Sequence, residues 1–253
     1  GYLYRVDLRL RPEGSSGQIA YPLKGYIQYY TSRGETWERL ALLKAWPIAG
    51  NHALGRQFLK RVSSFIYREP FSPKHLEEVK SLKDRIDRKI RVRGESGLNV
   101  KLGIGGIREI EFILQSLQVF FGGKLPHIRE RNTLKALKKL LRQKLLTPEG
   151  YRHLSEAYIF LRNVEHSLQM VHEFQTHRLP EDPQELRICA LRLDYWDRDD
   201  TTATDQFLRD YQLHTSRVNH IFRGLFHTPQ ASPLLQAALK KTHQAFSKRL
   251  TKK

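Results

Sequence analysis

From residue 24 onward the apolar residues recur at intervals of three and four, and this period constrains the fold more than any other feature of the chain. Helices are expected over 24–33 and 35–46, split by Gly34, and over 53–66 after the interruption at Pro47 and Gly50. Ser72-Pro73 is a start signal, with Ser as N-cap and Pro at the first helical position. Leu76, Val79, Leu82, Ile86 and Ile90 then mark one helical face, which Gly94 and Gly97 end. Further helices fit 105–121, 132–145, 148–175, 183–194, 203–227 and 233–248. Short connections between them favour antiparallel neighbours in a bundle. Only the first 21 residues read differently. Val6, Leu8 and Leu10 alternate with Asp7, Arg9 and Arg11, as in a strand with one buried face, and a second short strand fits Gln18 to Tyr21. A turn marked by Pro70, Ser72 and Pro73 sets the expected division: a strand-bearing part over 1–70 and a helical bundle domain over 71–253. The fold class is mainly α.

The chain has 253 residues, 40% of them hydrophobic, which is enough for a core. It has no apolar run of about 18 residues, so no membrane span is expected. No signal peptide is visible. The single Cys189 cannot form an internal disulfide, which fits a cytoplasmic protein, and its apolar neighbours read as core. The net charge of +18 attracts polyanions: nucleotide phosphates, an acidic protein or nucleic acid. Lys135, Lys138, Lys139, Arg142 and Lys144 form one basic cluster, and Lys240, Lys241, Lys248, Arg249, Lys252 and Lys253 another. Few aromatics interleave with them, and there is no zinc-finger spacing or RNP-type strand, so nucleic acid is the least favoured partner.

The residues that carry chemistry lie in three groups. In the first, Asp7 stands between arginines and is followed by Gly14-Ser15-Ser16-Gly17. A carboxylate can hold a divalent cation, guanidiniums grip phosphate oxygens, and a Gly/Ser loop offers N–H and hydroxyl donors. The second group is Trp37, Glu38, Arg39 and Lys44, where Lys44 ends an apolar stripe and either snorkels or aims at phosphate. The third opens at Lys101-Leu102-Gly103-Ile104-Gly105-Gly106, where glycines precede a helix start that suits an anion. Arg108, Glu111, Gln115 and Gln118 share one arc of that helix, and Arg162, Glu165, Gln169 and His172 repeat the pattern on another. Facing one another, the two ladders would pair across an interface; alternatively, Arg108 with Glu109 or Glu111 reaches a catalytic cleft. No His-Glu-x-x-His and no adjacent His-Asp pair occurs, which argues against a zinc or HD-type hydrolase.

Tyr4-Arg5-Val6-Asp7-Leu8-Arg9-Leu10-Arg11-Pro12 resembles the third-carboxylate strand of the glutamine synthetase adenylyltransferase family. Trp37-Glu38-Arg39 with Leu43-Lys44-Ala45 resembles the same family, as does the run Lys101 to Gln115 containing Gly105-Gly106-Ile107-Arg108-Glu109-Ile110-Glu111-Phe112. A fourth block, Phe160 to Gln169 and then Gln175 to Pro180, completes the likeness. The Ile-Arg-Glu form resembles the N-terminal, deadenylylating half of these two-headed enzymes. The resemblance implies the C-terminal remnant of a nucleotidyltransferase (polymerase-β-like) α/β domain followed by the helical bundle. It also implies removal of AMP from a glutamine synthetase tyrosine by phosphorolysis, releasing ADP. Asp7 would be the third carboxylate and an Mg²⁺ ligand. Arg9, Arg11, Ser15, Ser16, Lys44 and Lys101 would contact nucleotide or phosphate, with Arg108 and Glu111 in the catalytic group. ATP, ADP and phosphate are the implied small molecules, glutamine synthetase the implied partner, and a PII-type protein a candidate regulator. Only six residues precede Asp7, so the family's upstream Asp-x-Asp element is absent, and the chain is expected to be a fragment inactive alone. Trp46 stands where the family usually has Arg, and Asn51 where it often has Asp. The rival expectation is a helical module that docks glutamine synthetase or a PII-type regulator; nucleic-acid binding is weaker still.

Overall fold

The computed structural model describes residues 6–67, 73–92, 98–172 and 176–226. Nine α-helices lie among them: α1 (Leu23–Ser32), α2 (Thr36–Leu42), α3 (His52–Ile66), α4 (Pro73–Val92), α5 (Ile107–Phe121), α6 (Thr133–Arg142), α7 (Pro148–His172), α8 (Pro183–Arg192) and α9 (Ala203–Phe226). The mainly helical class holds. The start of the first strand at Tyr4-Arg5, the Pro70 turn, the Ser72 cap, the Gly94 and Gly97 stops and the 233–248 helix with its basic tail lie outside the described residues.

The helix starts follow local chemistry. Asn51, Asn132 and Asp182 cap α3, α6 and α8, each side-chain oxygen accepting backbone N–H bonds from the first turn. Glu35 and Glu38 form a reciprocal capping box on α2. Asn51, which departs from the resembled pattern, serves as a cap as well as an Asp would. The second expected helix ends at Leu42, short of residue 46, and Pro47 keeps Trp46 just before it from resuming helical backbone.

The two expected strands do not form among the described residues. Residues 8–13 turn instead, and Gly14–Ser16 makes a single 3₁₀ turn. A strand must spend its N–H and C=O groups on a ladder, and this segment has no partner strand among the described residues. Val6, Leu8 and Leu10, the face expected to be buried, are 76%, 52% and 70% exposed.

The chain packs as two compact units, residues 1–84 with 115–131, and residues 85–114 with 132–253; the division passes through α4 and α5. In the first, α3 packs against α1 and α2. Tyr30 and Phe65 lie 5.3 Å apart and Tyr26 and Phe58 5.5 Å, ring to ring, over a core that includes Leu40, Val62 and Ile66. Gln118, also buried there, donates to the carbonyls of Ile128 (2.8 Å) and Glu130 (2.7 Å). In the second unit α7 packs on α9, with α6 and α8 alongside. Leu137, Leu140, Leu154, Leu161, Val164, Phe207 and Val218 are fully buried. Each such side chain contributes about 1.5–3 kcal/mol on leaving water. Cys189 is buried as expected.

Candidate functional site

The expected site residues divide between the units: Asp7, Arg9, Arg11, Ser15, Ser16 and Lys44 in the first, Lys101, Arg108 and Glu111 in the second. Asp7 is held by its neighbour. Arg9 donates from Nε to Oδ1 (2.9 Å), from Nη2 to Oδ2 (2.5 Å) and from its backbone N–H to Oδ1 (3.0 Å). That hydrogen bond, and then the charge of Asp7, raise the pKa of the Arg9 guanidinium above its ordinary value. Arg11 does something else: it donates to the carbonyls of Leu8, Gly17 (3.0 Å) and Ser15 (3.2 Å) and so shapes the Gly/Ser loop from within. Ser15 and Ser16 stay exposed. The loop is tied down at Glu13, whose N–H donates to the Tyr29 hydroxyl (3.3 Å) and whose carboxylate pairs with Arg33 (3.0 Å).

Near Lys44 a cavity of about 330 Å³ is lined by Leu10, Tyr30, Trp37, Glu38, Lys44 and Trp46. Lys44 donates from Nζ to the Arg131 carbonyl (2.6 Å), and the Arg131 guanidinium lies 3.8 Å from the centre of the Trp46 ring. Glu38 is buried. Burial pushes its carboxyl up, the Glu35 N–H and the Tyr29 hydroxyl oppose that, and the Glu35 charge adds to it.

The glycine segment before α5 is closed on itself. Asn99 Oδ1 accepts from the N–H groups of Lys101 (3.0 Å) and Leu102 (2.7 Å). The N–H groups of Gly106, Ile107 and Arg108 donate to the carbonyls of Gly103, Val100 and Lys101 at 3.0, 2.9 and 3.1 Å. Gly105 donates to Glu109 Oε2 (3.0 Å), which also accepts from Asn219 Nδ2 on α9 (3.3 Å). The donors that an anion at this helix start would use are therefore already engaged. Gly105 has φ +72°, and a Cβ there would lie 1.9 Å from the Thr215 carbonyl oxygen, so the loop lies directly on α9.

Lys101 points to Glu165, a carboxylate only 1% exposed. Lys101 Nζ is 3.5 Å and His177 Nδ1 3.0 Å from Glu165 Oε1, and Arg162 pairs with Oε2 from one turn earlier on α7. Burial alone would push this carboxyl up; His177, Arg162 and Lys101 together outweigh it and hold the pKa below the ordinary value. The same place is stitched by backbone bonds from Val100 N–H to the His177 carbonyl (2.9 Å) and from Leu179 N–H to the Leu98 carbonyl (2.8 Å). The Arg–Glu pairing expected across two ladders is thus made by Arg162 and Glu165 within one helix. On α5, Arg108 is exposed and Glu111 half-buried.

Two carboxylates of this region, Glu109, expected as an alternative to Glu111, and Glu165, expected in the second ladder, are both buried. Glu109 stands four residues after Gly105 and reaches back from the first turn of α5 to accept its N–H. Glu165 lies among Leu161, Val164 and Leu168 on the apolar arc of α7. Among the described residues no three His, Cys, Asp or Glu side chains come together to hold a metal ion. Asp7 is one carboxylate with both oxygens against Arg9, so these residues by themselves do not fit an Mg²⁺ site. No described helix is long and apolar enough to cross a membrane.

Comparison with known proteins agrees with the resemblance along the chain. Residues 1–61 match the family model described as glutamate-ammonia ligase adenylyltransferase, and residues 77–226 the model described as GlnD PII-uridylyltransferase. The helical part thus matches the model of a uridylyltransferase family, while the relatives carry the adenylyltransferase name. A bifunctional glutamine synthetase adenylyltransferase/adenylyl-removing enzyme of Rhizobium meliloti (strain 1021) is 43% identical over 202 residues, 78% of this chain and 20% of the relative. Those of Mesorhizobium japonicum and Agrobacterium fabrum are 38% and 41% identical, over 94% and 83% of this chain and 24% and 21% of their own lengths. The chain therefore spans about a fifth to a quarter of the curated relatives it matches. It belongs to the glutamine synthetase adenylyltransferase/adenylyl-removing enzyme family, with its helical part covered by the uridylyltransferase-type model.

Proposed function

We propose that this chain is part of an adenylyl-removing enzyme acting on glutamine synthetase, with residues 1–70 ending its nucleotidyltransferase domain and 71–253 forming the helical domain behind it. The observation that carries the reading is the alignment itself: relatives bearing that activity in their names match along up to 94% of this chain. The two family models, ending at residue 61 and starting at residue 77, support the division near residue 70. In the reaction, an oxygen of inorganic phosphate attacks the phosphorus of the AMP–tyrosine ester. The bond from phosphorus to the tyrosine oxygen breaks, ADP leaves, and the phenolate takes up a proton. Charge on the phosphoryl oxygens calls for cationic partners. Arg9 and Lys44 are the candidates in the first unit, with Arg11 holding Ser15 and Ser16 in place. In the second unit Lys101, Arg108 and Glu111 act as positioning groups. Asp7 would offer one carboxylate to a divalent cation, which would neutralise phosphoryl charge, and the described residues do not complete its ligand set. The chain alone is therefore inactive.

The test is ADP release from adenylylated glutamine synthetase with phosphate and Mg²⁺. It compares this chain with a protein of the relatives' full length carrying the same sequence. Turnover by the long form only, lost in Asp7→Asn, supports the reading. No turnover by either form favours a second reading, a docking module for glutamine synthetase or a PII-type protein, to which the basic outer face of α6 lends itself.

A further inference from the structure

Helix α6 carries Lys135, Lys138, Lys139 and Arg142 at i, i+3, i+4 and i+7, on one stripe, and no acidic residue. The opposite face, Ala136, Leu137 and Leu140, is fully buried. The basic stripe is thus fixed in direction by a seated core face. Lys135, Lys138, Arg142 and Lys144 are exposed. Among the described residues none of these four has a carboxylate within ion-pair distance, whereas Lys139 has a contact of its own. On neighbouring α7, Glu156 is engaged with Arg217 (3.9 Å), and Arg152 adds a further exposed cation.

The charge pattern runs against a merely soluble surface. Like charges three and four residues apart on a helix repel, and no acid on α6 offsets them. Lys144 closes the helix in the left-handed region, at φ +57°. Its N–H donates to the Leu141 carbonyl (2.9 Å) and that of buried Leu145 to the Leu140 carbonyl (3.0 Å), the closing pattern in which glycine is ordinarily preferred. A lysine stands there at a conformational cost, and it extends the stripe by another charge.

We infer that the outer face of α6, with Lys144, is a docking surface for an acidic face of glutamine synthetase. This rests on the proposed function and adds where the protein substrate is gripped. Cations on a rigid helix steer an acidic partner and fix its orientation. No exposed aromatic side chain sits among them to stack on bases, so a protein face suits the surface better than a nucleic acid.

The experiment is the affinity of this 253-residue chain for adenylylated glutamine synthetase between about 50 and about 200 mM salt. The comparison is with Lys135→Glu/Lys138→Glu/Arg142→Glu and with the neutral Gln triple, which keeps the side-chain lengths. A control triple reverses Arg56, Lys60 and Arg61, exposed on α3. The α6 reversal is expected to weaken binding about tenfold and to flatten the salt dependence, and the Gln triple to weaken it less. The α3 triple is expected to stay within about twofold of the parent. Circular dichroism and melting temperature confirm that each variant is folded. Binding that α6 reversal leaves unchanged, or reduces only as far as the α3 triple does, overturns the docking surface and leaves the proposed function standing. No binding by the parent chain overturns the docking surface as well, while the proposed function stands or falls by ADP release from the full-length form. Duplex DNA bound as tightly as glutamine synthetase, through the same α6 residues, makes the surface a nucleic-acid site and overturns the inference.

Discussion

The Asp7 arm and the glycine loop before α5 use the same ingredients, glycines, an acid and nearby cations, and put them to opposite uses. In the arm, Asp7 is exposed and bound by Arg9, two residues on, and the flanking Val6, Leu8 and Leu10 face solvent. Around the loop, Glu109 on α5 and Glu165 on α7 are buried, and beyond their local partners Gly105 and Arg162 they draw others from distant parts of the chain: Asn219, Lys101 and His177. An exposed pair formed within three residues stabilises little, whereas a buried carboxylate with several partners becomes costly when one partner is removed. The arm is therefore the more suitable place for chemistry and the loop the more suitable place for rigidity.

Substitution of glycine should separate the two most sharply. Gly105→Ala must clear a backbone oxygen 1.9 Å away as well as adopt a positive φ, and is expected to cost about 3 kcal/mol or more by urea unfolding. Gly14→Ala in the arm has a comparable φ of +59° with its nearest atom 3.9 Å away, and should cost about 1 kcal/mol. Equal costs would erase the contrast.

Glu165→Gln comes next, at about 2 kcal/mol, since Lys101 and Arg162 keep partial access to water when the carboxylate charge is lost. Its pH signature has a definite sign. The folded carboxyl lies below its ordinary value near 4.5, so its contribution is full above that value and fades as pH falls through the folded pKa. Glu38 acts oppositely: its raised carboxyl favours the fold below 4.5, and that contribution is lost as pH rises through its folded pKa. Unfolding free energy measured from pH 3 to 7, a span of about four units, should therefore fall less steeply at the acid end in Glu165→Gln than in the parent. An unchanged acid limb would show that Glu165 is not the group responsible.

The smallest effect belongs to Asp7→Asn, within about 0.5 kcal/mol of the parent in stability. A larger loss would move Asp7 from the chemical side of the comparison to the structural side.

The helices were legible because apolar spacing, proline and the capping residues Asn51, Asn132 and Asp182 are local signals. The strand at Asp7 was misread because alternation describes a face, while a strand exists only where another strand pairs with it. The anion reading of the glycine loop meets a different obstacle. Glycine spacing marks a tight backbone, but not whether its N–H groups are already spent, and here Val100, Lys101, Gly103 and Glu109 accept them. The contacts of Lys44 and Trp46 with Arg131 join places far apart in sequence, which no local pattern reveals.

The most direct test of the division between chemistry and scaffold is one paired assay on the full-length form. ADP release and melting temperature are measured for Asp7→Asn and Glu165→Gln. The account predicts that Asp7→Asn abolishes ADP release at an unchanged melting temperature, while Glu165→Gln lowers the melting temperature and retains turnover below it. Full turnover in Asp7→Asn would contradict it.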